Sequence, residues 1–99
     1  MLAIALFKLK DHLTKSEYEK WALENIRPKM LLIESVIKFS DYTMLEGKDL
    51  GYDFVEVIEI TDKDSFESDN SKGIGLEIAT EWEKWVEKFT IVYGIDYGP

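Results

Sequence analysis

Tyr52-Asp53-Phe54-Val55-Glu56-Val57-Ile58-Glu59-Ile60 gathers β-branched and aromatic residues into one short run, the pattern of a strand. Its apolar residues fall on both parities, with Phe54, Ile58 and Ile60 on one side and Val55 and Val57 on the other. Successive side chains of a strand point to opposite faces, so both faces of this strand need a cover. Helices of the same chain can supply one of them. Working outward, Glu46-Gly47-Lys48-Asp49-Leu50-Gly51 is a turn, and Glu34 to Tyr42 before it alternates raggedly as a second strand. Leu2 to Lys10 is strongly apolar and ends in lysines, which predicts a central strand whose end reaches water.

Between these strands, Thr14-Lys15-Ser16-Glu17 has capping-box spacing, in which the hydroxyl and the carboxylate satisfy free amides at a helix start. The helix that follows carries Tyr18, Trp21, Ala22 and Asn25 on one face, with Leu23 and Ile26 beside them. Pro28 ends it, because the residue before a proline avoids helical geometry. Downstream, Thr61 or Asp62 caps a short helical piece around Ser65 to Ser68, and Asp69-Asn70-Ser71-Lys72-Gly73 breaks it. Leu76, Ala79, Trp82, Val86 and Phe89 recur at helical spacing and predict a helix from Leu76 to Phe89, with Thr90 to Tyr97 as the last strand.

The order β-α-β-β-α-β predicts an α+β, ferredoxin-like domain over residues 1–99: a four-stranded antiparallel sheet in the order 4-1-3-2, with the helices on one face. No third layer is available for the other face. A second copy of the chain is the economical cover, so a homodimer is expected.

Composition narrows the function classes. The absence of cysteine excludes disulfides, thiolate metal sites and thiol nucleophiles. Acidic residues outnumber basic ones by 20 to 12, giving a net charge of −8, and the lysines are scattered, so neither nucleic acid nor an anionic membrane is an expected partner. The start, Met1-Leu2-Ala3-Ile4-Ala5-Leu6-Phe7, has no basic leader or cleavage site and is too short to span a bilayer, which predicts a cytoplasmic protein. His12 is the sole histidine and sits in a loop beside Asp11, which favours solvent and counts against a histidine-ligated haem or metal. No metal or cofactor is expected.

Leu6-Phe7-Lys8-Leu9-Lys10 early in the chain and Asp96-Tyr97-Gly98-Pro99 at its end, with this order of elements, resemble the dimeric α/β barrel superfamily. More narrowly, Ser16-Glu17-Tyr18-Glu19-Lys20-Trp21-Ala22 and the run from Tyr52 to Ile60 resemble the RedY-like (HapK) family. The resemblance covers nearly the whole chain and carries strand and helix signatures, so it supports the fold better than the chemistry. It implies a link to prodiginine-type pigment pathways and to small-molecule cyclisation or condensation. Relatives in the superfamily include polyketide-type cyclases, quinol-type monooxygenases and haem-handling enzymes. They imply a ligand held between the sheet and the helices, with the opposite sheet faces joined in the dimer.

Matching the first strand to those cyclases puts Ala3, Ala5 and Phe7 on the helix side, beside Phe54, Glu56 and Ile58 of the third. Leu2, Ile4, Val55 and Val57 then face the partner chain. Two alanines on a central strand leave room for a small-molecule ligand. Glu56 becomes a carboxyl in an apolar setting, where desolvation raises its pKa and suits it to acid or base work; the alternative is a pairing with Lys38 or an arginine. Glu59, of opposite parity, faces the interface or solvent. Asp96 matches an acidic position that assists a catalytic histidine in the cyclase relatives. That histidine is missing here, since Asp69 to Gly75 contains neither histidine nor tyrosine. The second catalytic candidate is therefore Asp96 without its partner.

Trp21, Asn25 and Trp82 look toward the sheet from the helices and are candidate substrate-binding residues, with core packing as the other reading of such a stripe. Asn25 stands out because an amide on an apolar helix face needs a partner. Tyr18, Tyr42 and Tyr52 are candidates for the cavity rim, and Gly73-Ile74-Gly75 for a flexible lid or a weak anion site. Three functions compete on this reading: a cofactor-independent cyclase or condensing enzyme acting on an aromatic or heteroaromatic metabolite, a monooxygenase or haem-handling relative, and a non-catalytic carrier of a pathway intermediate.

Overall fold

The computed structural model describes residues 1–46 and 48–99. Four strands, β1 (Leu2–Leu9), β2 (Val36–Thr43), β3 (Phe54–Ile60) and β4 (Val86–Gly94), form one antiparallel sheet in the order β2-β3-β1-β4. The two central strands are therefore β1 and β3, and the expected 4-1-3-2 order holds. The architecture is the β-α-β-β-α-β ferredoxin-like fold. Each connection carries more than one piece of helix: α1 (Lys15–Asn25) and α2 (Arg27–Met30) after β1, then α3 (Lys63–Asp69) and α4 (Gly73–Glu83) after β3. Gly47 lies outside the described residues, so of the expected turn from Glu46 to Gly51 the structure gives a short 3₁₀ turn at Lys48–Leu50.

Local chemistry sets the helix boundaries. Thr14 and Glu17 form the full capping box, each side chain meeting the other's backbone N–H. Asp62, rather than Thr61, caps α3 by accepting from the Ser65 amide. Pro28 acts differently from the expectation. Ile26 closes α1 and opens α2, and Pro28 sits in the first turn of the new helix, where a missing N–H costs nothing.

The second helical segment departs most from the sequence reading. Instead of running from Leu76 to Phe89, α4 begins at Gly73 and stops at Glu83, and Val86 to Phe89 belong to β4. Trp85 closes a tight turn by donating its amide to the Trp82 carbonyl, and its own carbonyl accepts from Lys10 N–H. The chain then pairs along β1, with Phe89 opposite Phe7 and Ile91 opposite Ala5. The last strand thus ends at Gly94, and Asp96 lies beyond it, exposed, with Oδ1 accepting from the Gly98 amide.

The core lies between the sheet and the helices. Ala3, Ala5, Phe7 and Leu9 of β1 and Phe54, Glu56, Ile58 and Ile60 of β3 are buried, while the residues between them are more exposed. Tyr18, Ala22 and Ile26 of the first helical segment, with Met30, Phe66 and Ile78, cover that face. No helix among the described residues is long and apolar enough to cross a membrane.

Candidate functional site

The register of the sheet fixes the neighbours of Glu56. Ala5 lies directly opposite it on β1, Asp41 directly opposite on β2, and Ile91 one strand further along the same row. The small Ala5 and Ala3 side chains leave space above the sheet. That space is a cavity of about 170 Å³, lined by Ala3, Ala5 and Glu56 from the sheet and by Phe66, Ile78 and Trp82 from the helices. Ile91 and Phe89 of the edge strand also line it; both are exposed, as is the lining residue Glu83, and they mark its open side.

Glu56 is 8% exposed, and no hydrogen bond or ion pair reaches its carboxyl among the described residues. Lys38, one proposed partner, is displaced along β2, where it lies opposite the exposed Glu59. Arg27, the sole arginine of the sequence, is engaged elsewhere: its Nε and Nη2 hold Asp41 Oδ1 at 2.7 and 2.6 Å. Burial pushes the Glu56 carboxyl up to about 8, and the negative charge of Asp41 pushes the same way. Glu56 is consequently a neutral acid at pH 7. Glu56 is also one of the residues that line the cavity.

Two further polar atoms in this region lack partners. The Tyr18 hydroxyl, at the end of a side chain that is 2% exposed, and the buried Trp82 Nε1–H make no hydrogen bond of ordinary geometry, although the two lie close enough to interact with each other. Desolvation raises the Tyr18 phenol far above its ordinary value, and the Glu56 and Asp41 charges add to the rise, while the nearby Trp82 N–H opposes it. Aromatic rings hold these groups in place. Phe7 stacks on Phe54 at 5.4 Å and meets Trp82 edge-on at 5.0 Å, and Tyr18 lies 4.7 Å from Phe54.

The candidates picked out in the sequence divide accordingly. Ala3, Ala5, Glu56 and Trp82 come together around one cavity. Phe7 and Phe54 have the expected facing but form the packed aromatic floor beside it. Trp21 and Asn25 line a separate, open groove between α1 and α4, and Asn25 Nδ2 satisfies itself on the Trp21 carbonyl at 2.9 Å. Asp96 is past the sheet end, away from the row that holds Glu56. Tyr18 is core rather than rim, and Tyr52 bonds Thr90 Oγ1 at 2.9 Å. His12 and Glu59 are exposed, as their positions suggested.

Phe66, Ile78, Phe89 and Ile91 were missed. The two β4 residues could have been found only by ending the helix before Val86. Gly73 and Gly75 are helical rather than a lid, and Gly75 is required by contact: an added Cβ would lie 2.1 Å from the Asp69 carbonyl oxygen. No group of three or more His, Cys, Asp or Glu side chains is placed to hold a metal ion among the described residues.

Comparison with known proteins places this geometry. The family model for REDY-like protein HapK matches residues 1–96. The crystal structure of HapK from Hahella chejuensis superposes with a TM-score of 0.77 at 20% identity, covering 100% of this chain and 97% of that one. Hydroxynitrile lyase from Passiflora edulis gives a TM-score of 0.78 at 15% identity, covering 98% and 94%. A dimeric ferredoxin-like protein of unknown function from Thermobifida fusca gives 0.73 at 18% identity, covering 92% and 85%. None of the curated proteins matches the chain.

Proposed function

The chain belongs to the REDY-like HapK family, and from that premise we propose that it is a homodimeric small-molecule-binding protein that uses Glu56 as a neutral acid toward a compact aromatic or heteroaromatic ligand. The reading rests on one observation: a buried carboxyl with no ion-pair partner opens into an apolar cavity. Buried acids are rare without a partner, because desolvation of the charged form is costly. An acid whose pKa has moved close to neutrality can give or take a proton at physiological pH. A cavity of roughly 150 Å³ with apolar walls holds a single benzene ring, and the one here is about 170 Å³. Within this class, a cofactor-independent cyclisation or condensation suits the site, since orienting a ring against one acid requires nothing more than shape and a proton.

Dimerisation follows from the other sheet face. Ile4, Leu6, Val55 and Val57 are only partly buried there, and Leu2, Tyr42 and Val92 are exposed. Such an apolar surface on a small domain is costly to leave in water. The dimeric form of the Thermobifida fusca protein supports pairing of this chain as well.

The test is an NMR titration of the labelled protein with one-ring aromatic and heteroaromatic compounds. Shifts should concentrate at Ala3, Ala5, Ile58, Ile78 and Trp82; shifts confined to the α1–α4 groove would move the site there. With a ligand in hand, Glu56→Gln should retain binding and lose turnover. Turnover that survives this substitution contradicts the role given to Glu56.

A further inference from the structure

A second void adjoins the cavity above Ala3 and Ala5. Within the helix layer α1 packs on α2, and α4 packs on α2 and α3. Between α1 and α4 themselves a groove of about 510 Å³ stays open. Helices laid side by side normally interdigitate at roughly 8–10 Å between axes, so a gap of this size departs from ordinary packing. Ile26 and Ile78 line both the groove and the cavity, and both are buried, so their side chains are the wall that the two voids share. The groove is lined wholly by the helical segments, with no residue from the sheet. A partner subunit on the outer sheet face therefore leaves it open.

Its walls carry a chemistry of their own. Trp21 is half-buried, and its ring is held 5.4 Å from Trp85 and 5.8 Å from Tyr18 between centroids. Leu76, 48% exposed, lines the groove from α4. A fixed indole and an exposed leucine offer apolar surface to a flat group. Asn25 donates from Nδ2 to the Trp21 carbonyl at 2.9 Å, which orients its amide, and its Oδ1 has no partner among the described residues. That oxygen accepts hydrogen bonds and gives none. The charged groups at the groove are Lys29 from α2 and Glu77 and Glu81 from α4, all exposed. With acids in excess there and a net charge of −8 on the chain, an anion is disfavoured.

We infer that the groove and the cavity are two halves of one binding site, and that the ligand is an elongated, uncharged molecule. One ring occupies the cavity and is joined, past Ile26 and Ile78, to a second flat unit that lies on Trp21 and Leu76 and gives an N–H or O–H to Asn25 Oδ1. The inference rests on the cavity being the ring site and extends the ligand beyond it. Linking two bound units makes the second contact intramolecular, so the joined molecule binds more tightly than either unit alone.

The experiment compares phenol with para,para′-biphenol, which adds a second ring in line and an O–H at its far end. Calorimetric titrations are run on the wild-type chain, Trp21→Ala and Leu76→Ser. The wild type should bind the biphenol about tenfold or more tightly than phenol. Each substitution should cut that ratio severalfold while leaving phenol affinity unchanged, because neither residue lines the cavity. Amide shifts should appear at Ala3 and Ala5 with either probe, and at Leu76 and Thr80 with the biphenol alone. Equal affinity for the two probes, a ratio untouched by both substitutions, or biphenol shifts absent from Leu76 and Thr80 overturns the two-part site and leaves the cavity as a one-ring site. Failure of the wild type to bind either probe overturns the cavity reading itself. Thermal unfolding verifies that the variants fold; should Trp21→Ala not fold, Leu76→Ser, at a half-exposed position, decides the matter.

Discussion

Glu56 shows how far a single residue can be read from sequence and where the reading stops. Strand parity, with the facing implied by the resemblance to the cyclases, placed it on the helix side with Ala5 and Phe7, and the register and burial agree. Its lack of a partner was not legible, because it depends on where β2 slides along β3. A register shift between Val36 and Lys38 puts Lys38 opposite Glu59 and brings Asp41 opposite Glu56. Raising a carboxyl from its ordinary 4.5 to about 8 means that the folded chain keeps a proton the unfolded chain has released across that window. Stability is then full below pH 4.5, falls as pH rises toward 8, and levels off above it. The total fall is on the order of 5 kcal/mol. Urea denaturation of wild type and Glu56→Gln at pH 5 and pH 9 isolates this contribution: the wild type should lose several kcal/mol more than the variant between the two pH values. Parallel losses would mean that Glu56 titrates normally.

At the scale of elements, capping chemistry was the most readable signal and helix length the least. Thr14-Glu17 and Asp62 mark helix starts because they satisfy backbone donors locally, whatever the rest of the chain does. The end of α4 is a tertiary decision. Val86 and Phe89 fit a helical period, yet the free edge of β1 offers backbone pairing that an extended segment alone can take up. Trp85 buries part of its ring against Trp21 and Tyr18 as the chain turns. Misplacing that boundary by a few residues hid Phe89 and Ile91 from the site and put Asp96 on a strand it does not join. The α3–α4 junction offers a test of how tightly these pieces pack. Gly75→Ala would force a methyl against the Asp69 carbonyl and should cost roughly 1–3 kcal/mol of stability. A thermal unfolding midpoint equal to wild type would show that the junction yields.

The molecule as a whole was legible because its β-α-β-β-α-β order leaves few ways to bury two apolar sheet faces. Strand order followed from that element order, the side each strand residue faces from the resemblance to the cyclases, and the need for an outer cover from the two parities of β3. The cavity was less legible, since a void is set by what the helices fail to fill. Its position above Ala3 and Ala5 could be read, and its mouth at the β4 edge could not. The apolar outer face carries its own expectation. Val57→Lys places a charge at the centre of that face, directly opposite Ile4 on β1. Sedimentation should show a dimer for the wild type and a monomer for this variant, with the helix-side cavity intact. A monomeric wild type at micromolar concentration would require another cover for the sheet.

The function proposed for this site turns on one neutral acid in one cavity. Carbon-13 NMR of side-chain carboxyls, followed from pH 4 to pH 10, measures its ionisation directly, with Glu56→Gln used to assign the signal. Glu56 should titrate near pH 8, well apart from the surface carboxylates. A Glu56 midpoint in the ordinary carboxylate range would mean that the group is solvated or paired, and the acid role would go with it.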